Sequence, residues 1–298
     1  DFILAITCSK IIRIIFKKDK NVNLYSLMTY GLILFLPTVI LNSSNWAQCD
    51  CIYATFAIIA ILNLLKEKYL KAFIYLGIAF AFKLQFILIL PVFIFVYASK
   101  KKFPLYYFLI IPLMNVILSL PAIISGVPVS ECFSVYFEQF GTYNEYISML
   151  FPGVYNIIMM PSNDYVSNTV EGLGTVLTII TMTILAVALI IIIYKKINLK
   201  NEMIIYLSLW SVLICAFLLP NMHERYLFMG DVLSVLYFVL SRNWKKIYIP
   251  IGVSLVSLYG YVRLLFGGQI LDIQMMSILN LILVVLVTKD VFQRLLKE

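Results

Sequence analysis

Apolar runs of membrane length follow one another along this chain with short polar breaks between them, and basic residues gather at alternate breaks. Lys and Arg cluster at 10–20, 66–71, 100–102, 195–200, 242–246 and 289–297, groups that hold 20 of the 23 basic residues. Each group follows an apolar run, as cytoplasmic loops do in membrane proteins. A soluble fold has no reason to alternate its charge in this way. With 62% hydrophobic and 13% charged residues, too little polar surface is left to cover a soluble core. The expected fold is an all-α polytopic membrane protein, one transmembrane domain over 1–298. A formal charge of +8 would suit nucleic acid, but its confinement to loops between spans removes that partner.

The orientation of the basic groups also sets the path. Phe2–Phe16 runs inward, Leu24–Leu41 outward and Ile52–Leu65 inward. The next run, Ala72–Ala98, is interrupted by Lys83 and Gln85. As one span it would put every later basic cluster outside, so two short arms, Ala72–Phe82 and Leu84–Ala98, are expected to form a broken hairpin with Lys83 near its outer tip. Such arms fall short of the roughly 20 residues of a full crossing and need shielding by other helices or a wet cavity. Tyr106–Ile124, Leu173–Tyr194, Met203–Leu219, Leu227–Leu240, Ile247–Phe266 and Ile273–Thr288 complete about eleven apolar segments. An external loop occupies 125–171, and its Cys132–Phe140 portion reads as an amphipathic interfacial helix. The chain opens at Asp1 on an apolar run with no cleavage site after it, which reads as a cut inside a longer protein rather than a signal peptide. The five Cys suggest no disulfide framework, because Cys49 and Cys51 flank Asp50 too tightly to bridge and the others are scattered.

Two polar islands carry the chemistry. The first, Asn42-Ser43-Ser44-Asn45-Trp46-Ala47-Gln48-Cys49-Asp50, joins two apolar runs. A turn needs only a Gly, Asn or Ser, so Trp46, Gln48 and Asp50 exceed the requirement. The plainer reading is an interfacial Trp anchor with ordinary loop residues. The second island sets His223, Glu224, Arg225 and Tyr226 in one tight turn. Its plainer reading is an Arg–Glu pair at a helix cap. Arg matches phosphate oxygens in a two-pronged geometry, His adds a donor, and Lys83 supplies a third positive group. A lipid-linked phosphate suits such a site, since its tail dissolves in the bilayer while its head meets the cations. Other outer charges read as structural: Glu131, Glu138 and Glu145 as a solvated face, Arg263 as a snorkelling side chain, Asp272 as a loop residue and Asp231 as a helix-start charge.

Asn-Ser-Ser-x-Trp-x-Gln-x-Asp at 42–50, Ala-Phe-Lys-x-Gln at 81–85 with Leu-Pro at 90–91, and Leu-Pro-x-Met-His-Glu-Arg-Tyr at 219–226 together resemble one family. It comprises the bacterial relatives of the eukaryotic GPI mannosyltransferase II, within the GT-C superfamily of multi-spanning glycosyltransferases. Phe-Pro-x-x-Tyr at 151–155 resembles a further family segment loosely. The resemblance implies inverting transfer of a hexose, mannose foremost, from a polyprenyl-phosphate donor to a glycan or glycolipid acceptor at the outer face of a bacterial plasma membrane. It places His223, Glu224 and Arg225 on the donor phosphate, with Lys83 assisting. Trp46, Gln48, Gln85 and Tyr226 are the expected sugar and acceptor contacts, and Asp50 the carboxylate that takes the hydroxyl proton or holds the acceptor. Two departures stand out: Ala47 replaces a usual Gly, and the principal acid or base Asp of GT-C enzymes would precede Asp1. No ligand spacing demands a metal, although Mg²⁺ or Mn²⁺ on outer carboxylates stays open. A lipid-linked sugar flippase or transporter and an exopolysaccharide polymerase or ligase are the competing readings.

Overall fold

The computed structural model describes residues 1–132, 134, 145–161, 163–268 and 271–297. In chain order its helices begin with α1 (Phe2–Ile15), α2 (Val22–Leu34), α3 (Pro37–Ile40), α4 (Asp50–Leu65), α5 (Tyr69–Phe82), α6 (Leu90–Lys100) and α7 (Ile110–Ile124). The segment expected from the sequence to be external follows with β1 (Tyr146–Met149), α8 (Val154–Met159) and β2 (Tyr165–Ser167). Then come α9 (Leu173–Tyr194), α10 (Asn201–Leu218), β3 (Met222–His223), α11 (Phe228–Ser241), α12 (Tyr248–Phe266) and α13 (Ile273–Leu295).

Helix accounts for 76% of the structure and strand for 3%, so the chain is mostly helical as expected. Among the described residues five helices are long and apolar enough to cross a membrane, or six if one bent pair counts as a span. Asp50–Leu65, Tyr69–Phe82, Leu84–Lys100 and Phe228–Ser241 are apolar but shorter. Length alone therefore supports fewer crossings than the eleven apolar segments of the sequence. Position in the bundle differs sharply among the long helices. Asn201–Leu218 is 83% buried and forms the centre, whereas Leu105–Ile124, at 11%, turns nearly all its apolar surface outward.

Two breaks shape the bundle. The run Leu24–Leu41 is not one straight span: α2 and Pro37–Asn45 meet at 48°. Pro37 disfavours helical backbone at the residue before it, and Leu36 is accordingly extended, with φ −59 and ψ 124. The second break lies at Lys83, also extended, with φ −156 and ψ 139. Beyond it a 3-10 turn, Leu84–Ile89, leads into α6. Phe73 on α5 meets Phe93 on α6 with ring centroids 5.5 Å apart. The expected break between two short helices is present at Lys83.

Ion pairs divide the molecule into two ends. At one, Lys102 Nζ lies 2.9 Å from Glu67, Arg242 pairs with Asp19 at 2.9 Å, and Lys246 and Arg294 pair with Asp290 at 2.6 and 2.8 Å. Ser99 binds the 197–199 backbone, and Arg294 stacks on Tyr206, which joins these loops into one layer. At the other end lie Asp50, Lys83 and Arg225. The alternation read from the basic clusters is thus a geometric property of the bundle.

The external segment departs from the all-α expectation. Its β1 pairs antiparallel with β2 and parallel with β3, in the order β2-β1-β3. The proposed interfacial helix at Cys132–Phe140 falls mostly outside the described residues, as does Glu138.

Close packing between α5 and α7 rests on a missing side chain. A Cβ on Gly77 would sit 2.7 Å from Met114 Cβ and 3.1 Å from the Ile111 carbonyl oxygen. Small residues let membrane helices approach in this way. Gly77→Ala is expected to destabilise the bundle by about 1–3 kcal/mol, read as a lowered melting temperature in detergent.

Candidate functional site

Asp50 occupies the first turn of α4, where the helix dipole favours a carboxylate. Its side chain is 1% exposed, so that charge needs partners. The backbone ahead of it supplies one. Leu41–Asn45 forms a π turn in which the Trp46 N–H donates to the Leu41 carbonyl at 2.9 Å. Such turns insert a residue into the helical path and recur at functional sites. Here the turn carries Asn42, which is fully buried. Asn42 Nδ2 donates to Asp50 Oδ2 at 2.8 Å and to the Tyr261 hydroxyl at 2.9 Å.

The break at Lys83 and the second island supply the cations. Lys83 Nζ lies 2.5 Å from Asp50 Oδ1, and Arg225 Nε lies 3.7 Å from Oδ2. Arg225 Nη1 donates to Glu224 Oε1 at 3.1 Å, and His223 Nδ1 lies 3.8 Å from Glu224 Oε2. The guanidinium also sits 5.1 Å from the centre of the Trp46 ring, which in turn meets Tyr261 edge-on at 5.5 Å. His223 and Tyr226 rings are 5.0 Å apart. The two polar islands and the break at Lys83 therefore form one cluster.

Position is imposed from outside the cluster as well. Met149 of β1 pairs with His223 of β3, so the external segment sets the entry of the His-Glu-Arg turn. Gly260 on α12 lets that turn seat closely: a Cβ there would meet Glu224 Cβ at 2.5 Å and its Cα at 2.9 Å. The external segment is itself latched to α12. Tyr259 donates to Asp164 at 2.8 Å, and Arg263 pairs with the same carboxylate. Arg263 is thus not a lone snorkelling side chain. Its partner carboxylate is buried and holds the loop in place.

Exposure separates the roles. Lys83, His223 and Arg225 side chains are 14%, 16% and 25% exposed, while Asp50 and Glu224 are 1% and 7% exposed. The donors reach outward and the carboxylates lie behind them. Arg225 Nε is buried, with the Asp50 carboxylate 3.7 Å away, so the guanidinium is turned toward Asp50 on that side. Burial works to raise the Glu224 carboxyl, but the His223 hydrogen bond and the Arg225 charge outweigh it and hold it below its ordinary range. Glu224 is therefore ionised and keeps Arg225 in place.

Not every expected contact joins the cluster. Gln48 contributes its backbone N–H, which donates to the Asn42 carbonyl at 2.9 Å. Gln85 Oε1 is buried without a partner. Glu131 and Glu145 are exposed, as a solvated face should be. Asp231 does begin a helix, but it is completely buried. Among the described residues no three His, Cys, Asp or Glu side chains converge as a transition-metal site would need. Asn42 and Tyr261 brace Asp50, yet neither was singled out from the sequence. Asn42 stood within the first island; Tyr261, one Tyr in an apolar helix, carried no signal.

Removing Asp50 leaves the Lys83 charge uncompensated. Asp50→Ala is expected to cost about 3–5 kcal/mol, and adding Lys83→Met should restore much of it in urea or thermal titrations. Ala47 has φ +55, a left-handed conformation that glycine adopts freely. Ala47→Gly is accordingly expected to raise stability by about 1 kcal/mol, measured the same way.

No protein-family model matches the chain, and no curated protein or solved structure matches it either, so the site rests on its own geometry.

Proposed function

We propose that the Asp50 end binds a lipid-linked phosphate at the extracytoplasmic face of a bacterial plasma membrane. On this reading the chain is part of a GT-C-like glycosyltransferase that moves a hexose, mannose foremost, from polyprenyl phosphate to a glycan or glycolipid acceptor. The observation that carries it is Arg225, held between Glu224, Trp46 and Asp50 with its side chain still 25% exposed. A guanidinium so fixed offers its remaining N–H groups to phosphate oxygens, and Lys83 and His223 flank it. The basic loops at the far end suit the cytoplasm. The shorter apolar helices count as crossings when their neighbours shield them, which recovers the path of about eleven segments.

In this mechanism the acceptor hydroxyl oxygen attacks the anomeric carbon from the face opposite the phosphate. The carbon–oxygen bond to phosphate breaks, and its electron pair leaves on the phosphate oxygen. Arg225, Lys83 and His223 steady that growing charge, and water is kept from them by Trp46 and Tyr261. Asp50 lies behind the cations with Lys83, Asn42 and Arg225 upon it, so it acts here as the anchor that aims them. A carboxylate base takes the hydroxyl proton.

A lipid-phosphate flippase is the second reading, favoured by the helix breaks at Leu36 and Lys83. One assay separates them. Full-length protein is incubated with polyprenyl-phosphate-mannose and an acceptor extract, and released polyprenyl phosphate is measured. Arg225→Ala should lower release on the order of 10²–10³-fold. Translocation of intact donor without release would support the flippase, and unchanged release by Arg225→Ala would refute the phosphate assignment.

A further inference from the structure

Behind the Asp50 cluster lies a second carboxylate that the proposed chemistry does not use. Asp231, in the first turn of α11, is 0% exposed, and both of its oxygens lack a hydrogen-bond partner. Two hydroxyls act on it, Thr38 of α3 and Ser257 of α12. Both are buried, and neither meets it in hydrogen-bonding geometry, for Thr38 Oγ1 and Ser257 Oγ are themselves unpaired. No cationic side chain is among the groups that act on Asp231. The Tyr53 hydroxyl, a fourth buried and unpaired group, is within electrostatic reach of Asp231. Hydroxyls from three separate elements thus act on or feel one carboxylate, and among the described residues no cationic side chain acts on it.

A buried carboxylate without a partner is strongly disfavoured, and an ionisable group at this depth in a membrane protein marks a site by default. The helix dipole of α11 offsets only part of the charge. What the site lacks is one positive charge surrounded by oxygen. A hard cation takes oxygen ligands, which excludes the softer transition metals. A divalent ion would leave an excess charge as costly as the one it removed. We infer that Asp231, Thr38 and Ser257 form a binding site for one small monovalent cation, Na⁺, at the junction of α3, α11 and α12. The ion ties the bent end of α2 to the two helices beside it. Asn42 follows Thr38 by one helical turn and Tyr261 follows Ser257 by one turn, so the same tie steadies both braces of Asp50. The inference does not depend on the glycosyl-transfer reading.

The test uses the whole chain purified in detergent and exchanged into choline chloride. Its melting temperature is followed as NaCl, KCl or further choline chloride is added at equal ionic strength. A specific site gives a saturable rise with NaCl alone, since a ligand that binds only the folded state stabilises it in proportion to its saturation. Asp231→Asn should abolish the response. Thr38→Ala and Ser257→Ala retain the carboxylate and should each raise the half-saturating Na⁺ concentration about ten-fold. Retention of radioactive Na⁺ by the wild type but not by Asp231→Asn gives a readout independent of stability. An equal rise in KCl or choline chloride, or none in any salt, overturns the site and leaves Asp231 protonated or water-bound.

Discussion

A carboxylate sealed inside an apolar bundle dictates much of what surrounds it. Asp50 can be buried only because Lys83, Arg225 and Asn42 converge on it from three distant stretches of chain. Each convergence demands a local departure from regular helix. Lys83 reaches it from an extended residue between two arms, Asn42 from a π turn, and Arg225 from a turn paired to the external strand β1. The irregular backbone at this end is therefore the condition for burying one charge. Once gathered, the cations face outward and the carboxylates inward, which turns a neutralising cluster into a surface that offers donors.

Much of this was legible because charge in a membrane protein is confined. The basic clusters fixed the direction of each run, and that argument alone required a break at Lys83. The break is present, and Phe73 and Phe93 from its two sides are in ring contact. The meeting of the two islands was legible for the same reason, since polar residues that exceed the needs of a turn must find each other or water. Ala47 was noted as a departure from Gly, and its left-handed backbone gives that departure a physical meaning.

What escaped the sequence depends on long-range packing. Strands β1, β2 and β3 are two to four residues long, too short for any alternation to show. Arg263 looked like a side chain reaching for water because Asp164 lies far from it in sequence, and only the docked loop brings the pair together. Tyr261 could not be told from any other aromatic residue in an apolar helix. The bend at Leu36 had a local cause in Pro37, yet hydropathy reads straight through it.

Breaks and buried charges coincide at one end of this bundle, and the coincidence separates function from folding. At the lysine end, Lys101, Lys196 and Arg242 also have left-handed backbone, but each sits just past a helix C-terminus, where that conformation commonly ends a helix. At the Asp50 end Met160 likewise follows a helix, the short Val154–Met159, but Ala47 and Asn221 cap none. Ala47 lies between a π turn and α4, and Asn221 leads into the His-Glu-Arg turn while its N–H donates to the Ile147 carbonyl at 2.7 Å. Backbone held in sparsely populated regions persists only where its surroundings over-determine it. Here the surroundings are the charged cluster itself. A loop whose task was only to join two helices would relax to ordinary turn geometry and release Arg225 and Trp46 to the interface. That it keeps Arg225 against Trp46, with a quarter of the side chain exposed, is the physical reason to look for a ligand at this end.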